Sequence, residues 1–67
     1  MSKAYFDLSI ILKRRKMTQV DLAEKTGMSN KSLSRVNIKK LASLKTLTRI
    51  ADALEVTIWD LLKESNK

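Results

Sequence analysis

An all-α fold, a small bundle of five helices, is what this sequence predicts. Three observations lead there. The 67 residues contain no Pro and a single Gly, so little interrupts a helix. Apolar residues recur at helical spacing along most of the chain. Ser or Thr residues suited to capping a helix stand just ahead of those stripes. Nothing reads as a strand. The length predicts one domain over 1–67. With neither Cys nor His, disulfides and nearly all zinc or iron sites are removed, so the core must come from the 43% of residues that are apolar.

Taken in order, Leu8, Ile11, Leu12 and the stem of Arg15 form one stripe, which predicts a first helix over 4–15. Thr18-Gln19-Val20-Asp21 has the form of a capping box and opens a second helix that runs to about Thr26 and buries Leu22 and Ala23. Gly27 follows, where a left-handed residue ends a helix. Ser29 caps a third helix over about 30–36, with Leu33 and Val36 inward. The polar stretch 37–43 reads as a loop anchored by Leu41. Ser43 or Leu44 opens a fourth helix whose stripe of Leu47, Ile50, Ala51 and Leu54 is the clearest in the chain. Thr57-Ile58-Trp59-Asp60 repeats the Thr-x-x-Asp cap and starts a short fifth helix with Leu61 and Leu62.

Charge narrows the function. Fourteen bases against seven acids give a formal charge of +7, which favours a polyanionic partner. Between Glu24 and Asp52 there is no acid, but there are Lys25, Lys31, Arg35, Lys39, Lys40, Lys45 and Arg49. Lys13-Arg14-Arg15-Lys16 form a second cluster, and beyond Ile50 acids outnumber bases. One end of the molecule is therefore expected to face a polyanion. An enzyme is not expected. The usual imidazole base and thiol nucleophile are missing, and no Gly-rich loop could cradle a nucleotide phosphate. No cofactor, metal or small-molecule ligand is expected. No apolar run exceeds three residues, far short of a membrane span. The opening MSKAYFD lacks the apolar stretch of a signal peptide, so a cytoplasmic location is expected.

The informative segment is 18–38, TQVDLAEKTGMSNKSLSRVNI. Two short helices flank a tight turn at Gly27, and the small Ala23 lies where they cross. Met28, Leu33 and Val36 lock the second helix against the first. That arrangement is a helix-turn-helix over about 19–38, its second helix free to enter a DNA major groove. The segment resembles the helix-turn-helix of the phage-repressor and Cro-like proteins, often called the XRE family. The matches are Gln19, Leu22-Ala23, Gly27, Ser29, Leu33, Leu47, Ile50-Ala51, Ala53-Leu54-Glu55-Val56 and Leu61-Leu62. They span about residues 7–63. The resemblance implies a five-helix bundle of the lambda-repressor-like DNA-binding type, with helices 2 and 3 as the helix-turn-helix. Two departures stand out. Members often carry Glu after helix 3 and Gly two residues on, where this chain has Asn37 and Lys39. The Arg that pairs with that Glu in some members is replaced by Leu12, so no buried charge is orphaned.

Carried over by position, the resemblance places Gln19 at the start of helix 2, where backbone N–H groups favour a phosphate. Ser29, Asn30, Lys31, Ser34 and Arg35 fall on the outer face of a recognition helix over about 29–36. Asn can bond an adenine edge at two points, and Arg or Lys a guanine. Lys39 and Lys40 follow as phosphate clamps. The implied function is a sequence-specific DNA-binding transcriptional regulator, a repressor, on double-stranded DNA. Similar proteins often bind palindromic sites as dimers through their C-terminal end, which makes Ile58, Trp59 and Leu62 candidates for a homodimer contact. Trp59 alternatively covers the edge of the core, and that is the expected role. Two other functions are open to the residues: a protein-interaction module, such as an antitoxin or co-regulator, and a membrane-surface helix. The bases concentrate around the turn and recognition helix rather than flanking one apolar face, which disfavours the membrane.

Overall fold

The computed structural model describes residues 3–65. The chain forms β1 (Lys3–Tyr5), α1 (Leu8–Arg15), α2 (Gln19–Thr26), α3 (Asn30–Lys39), β2 (Leu41–Ser43), α4 (Leu44–Leu54) and α5 (Ile58–Ser65). The five helices make an all-α bundle, and each begins where a polar side chain takes up orphan N–H groups. Asp7 accepts from Ser9 N, Ser29 from Ser32 N and Ser43 from Thr46 N. The α2 box is complete. Thr18 Oγ1 accepts from Asp21 N at 3.1 Å, while Asp21 Oδ2 accepts from Thr18 N at 3.0 Å. Those Thr18 groups hold the Asp21 carboxyl below the ordinary aspartate range. At α5, Thr57 Oγ1 accepts from Asp60 N.

Two expectations are corrected. The first helix begins at Leu8, not at residue 4, because Asp7 has the extended backbone of a cap (φ −96°, ψ 96°). Residues 3–5 form a strand instead. It pairs antiparallel with β2 in the register Lys3↔Ser43, Ala4↔Ala42, Tyr5↔Leu41, and Phe6 N extends the pairing to Lys40 O at 3.0 Å. The second correction concerns 37–43, expected as a loop. Nothing there interrupts a helix, so α3 continues to Lys39, and Lys40 N closes its last turn on Val36 O at 2.8 Å. Leu41 is not an anchor, being 43% exposed, and the buried residue is Ala42. A two-stranded ladder is marginal alone. Here Ala42 and the adjoining Phe6 tie it to the core.

The core consists of Phe6, Leu8, Ile11, Leu22, Leu33, Ala42, Leu47, Ile50, Ala51 and Leu61. Every helix contributes, with α4 packed against α2, α5 and β2. Arg15 donates to Glu64 at 2.6 Å, a half-buried ion pair that joins α1 to α5.

Helix C-termini show a feature that composition hides. Lys16, Gly27, Lys40 and Glu55 all take the left-handed conformation, yet only one is glycine. A side chain there costs about 1–2 kcal/mol, and an acid at the negative end of α4 adds a weak repulsion. Glu55 is exposed. Glu55→Gly is therefore expected to stabilise the domain by about 1 kcal/mol, less than the full relief because the unfolded chain gains freedom. In thermal unfolding this corresponds to a rise of about 4–8 °C. A fall in the melting temperature would show that the cap carries no strain.

Candidate nucleic-acid interface

Helices α2 and α3 meet across the Gly27 turn. Gly27 takes φ 75° and its N–H returns to Ala23 O. A Cβ on Gly27 would meet nothing within 4 Å, so glycine serves there through its φ, not its size. Thr26 Oγ1 bonds back to Leu22 O and accepts from Met28 N, which stiffens the turn. Leu33 is fully buried, with Met28 and Val36 packed against the core. One side of α3 is thereby fixed, and the opposite side faces outward.

The predicted residues divide by their surroundings. Lys31, Arg35 and Lys39 are exposed on the outer side of α3. Ser29 is exposed as well, but its hydroxyl caps α3 and lies 2.9 Å from Ser32 Oγ. Gln19, Asn30 and Ser34 form one cluster. Gln19 Nε2 reaches Asn30 Oδ1 at 2.8 Å, Ser34 Oγ at 2.8 Å and Asn30 O at 3.2 Å. This brace fixes the first turn of α3 against the start of α2. It also orients what Asn30 can offer: Oδ1 accepts from Gln19 with one lone pair, which leaves a second lone pair and the amide N–H donors for a two-point bond to adenine.

Lys40 differs from the others. It is the left-handed residue ending α3, and its ammonium lies 3.4 Å from Asn37 O and 3.6 Å from Asp7 Oδ1. Hydrogen bonding from Ser9 and then the nearby Lys40 charge hold the Asp7 carboxyl below the usual range against partial burial. Lys40 is thus engaged in closing α3 onto the start of α1, away from the outer face.

A family model for the Cro/C1-type HTH DNA-binding domain matches residues 7–65. The chain belongs to this family. No curated protein and no solved structure matches it. The match begins at the Asp7 cap of α1 and ends with α5, so β1 lies outside the matched span. In this Cro/C1-type domain the two sequence departures become intelligible. Leu12 and Asn37 are both half-buried, and Leu12 packs on the core. Lys39, where the resemblance implied Gly, is the last residue of α3, and the left-handed position comes one residue later at Lys40.

Extension of α3 adds a residue that sequence reasoning missed. Ile38 is 81% exposed on the outer side of the helix, in a shallow concavity with Lys31, Ser34, Arg35 and Lys39. An apolar side chain in that place suits contact with a thymine methyl group. Its signal was present: Ile38 stands seven residues after Lys31, on the same face of any helix that continues past Val36.

Proposed function

We propose that this Cro/C1-type domain works as a single unit over 1–67, a sequence-specific transcriptional regulator and repressor that reads the major groove with α3. The observation that carries the reading is the two-sided character of α3. Its inner side is anchored by fully buried Leu33, while Lys31, Arg35, Ile38 and Lys39 stand exposed along the other. Guanidinium and ammonium donors suit guanine edges, and Ile38 suits thymine. Gln19, Asn30 and Ser34 position the helix and complete the contact, with Ser29 at its cap. The binding requires no catalysis, cofactor or small molecule. No helix among the described residues is long and apolar enough to cross a membrane, in keeping with a regulator of cytoplasmic DNA.

The target is a palindromic operator bound by a homodimer. A largely apolar groove of about 260 Å³ runs between β1, α4 and α5, lined by Ala4, Leu44, Leu47, Ile58, Trp59 and Leu62 together with Lys3. Trp59, expected from sequence to cover the edge of the core, is instead 74% exposed and does not pack on the core. A second copy seated there must set the two recognition helices about 34 Å apart, one turn of DNA, to read both half-sites. The alternative is a protein-interaction module; residues 37–39, expected as part of a loop, form the last turn of α3 and give it no separate surface.

Selection from a random duplex pool tests the reading. A recovered palindrome is the expected result, whereas equal retention of all sequences would leave only nonspecific binding. Trp59→Lys, which places a charge in the groove, is expected to shift the chain to monomer in sedimentation. It should also weaken binding to the palindrome at least about tenfold, with half-site contacts retained, because linking two half-sites multiplies affinity. An unchanged sedimentation profile would exclude this groove as the dimer surface.

A further inference from the structure

A second concavity lies on the flank of α3, between its C-terminal half and the β1–β2 ladder. It has a volume of about 230 Å³ and is lined by Lys3, Arg35, Lys39, Ala42, Ser43 and Thr46, together with the apolar Val36 and Leu41. Three of its residues are cations, and no carboxylate lines it among the described residues. Lys3 comes from β1, whose antiparallel register sets it opposite Ser43. Ser43 Oγ in turn lies 3.2 Å from Thr46 Oγ1 and caps α4. The start of the chain and its 35–46 segment thus bring cations and hydroxyls to one groove.

Arg35 and Lys39 also line the outer concavity of α3 that holds Lys31 and Ile38. The two concavities share a ridge. A duplex seated with base edges against the outer side of α3 therefore runs one strand's backbone along this flank. A groove with cationic walls and hydroxyl donors suits a tetrahedral oxyanion.

We propose that Lys3 and Lys39 grip a DNA backbone phosphate in this groove, with the hydroxyl of Thr46 beneath it and Arg35 on the ridge turned to the bases. This makes β1, which lies outside the span shared with the family, a part of the DNA interface. The inference rests on the proposed reading of DNA by α3 and adds a contact that fixes how the duplex lies. Lys3 thereby joins Lys39 as a phosphate contact, while the Lys40 ammonium lies 3.6 Å from Asp7 Oδ1.

The salt dependence of binding by the full chain to its selected duplex tests this. Each neutralised phosphate contributes a slope of about −0.9 in log affinity against log salt. Lys3→Gln keeps the stem and removes the charge. It should make the slope shallower by about 0.9 and weaken binding several-fold at low salt, with the ratio of selected to scrambled sequence unchanged. Lys3→Arg should restore the parent slope. Melting temperatures of both variants should match the parent's, because strand pairing uses the backbone. A Lys3→Gln slope equal to the parent's, with site preference intact, overturns the clamp and leaves the reading by α3 standing. A parent chain with no preference among duplexes overturns both.

Discussion

Phe6→Ala is expected to remove most of the stability of this domain. Phe6 is fully buried, and it is the hinge residue between β1 and α1. Truncating a buried Phe costs about 3–5 kcal/mol, from lost transfer energy and the cavity left behind. A domain of this length has roughly 3–10 kcal/mol in all. The main chain adds a second reason: the Phe6 N–H bond to Lys40 O continues the strand ladder, so loosening Phe6 also frees β1. Thermal unfolding followed by circular dichroism should show a melting temperature lower by about 15–30 °C, or no cooperative transition at all. Phe6→Leu, which refills much of the volume, should recover most of that loss. A drop under about 5 °C for the Ala variant would show that the surrounding side chains collapse into the space and that the junction is not a keystone of the core.

Arg35→Ala is expected to have the largest effect on function. Arg35 lines both the outer concavity of α3 and the Lys3 groove, and in the proposed complex it faces the bases beside the gripped phosphate. A bidentate guanidinium–guanine contact discriminates against the wrong base by about 1–3 kcal/mol, corresponding to roughly five- to 150-fold. The expected signature is a collapse of the ratio between selected and scrambled duplexes, with nonspecific affinity falling far less. Arg35→Lys should recover charge but not selectivity, because a single ammonium lacks the planar fork. Fold should be untouched, since the side chain is exposed. Full discrimination by Arg35→Ala would remove Arg35 from the readers and leave Lys31 and Ile38 as the residues that set preference.

These two residues show how differently the sequence exposes its contents. Arg35 could be named at once, since a cap at Ser29 and an inward Leu33 leave its position on the outer side of any helix that follows. Phe6 could not. Its neighbours looked like the start of the first helix, and only a partner strand reveals that the chain is extended there. Ile38 was hidden for a related reason: a run of polar residues after Val36 resembled a loop, yet no residue in it breaks a helix. Lys40 looked like a free charge beside the recognition helix. Its left-handed backbone turns it toward Asp7, and neither the conformation nor the partner is visible in residue order.

By itself the sequence determined the number of helices, most of their starting points and the helix-turn-helix. Those depend on forces acting within three or four residues, namely caps, the φ of Gly27 and the helical spacing of apolar side chains. Tertiary structure alone decided the β1–β2 ladder and which cations share a groove. Such features arise when segments some forty positions apart come into register, as Lys3 does with Ser43, and the pairing of distant backbones leaves no periodic trace along the chain.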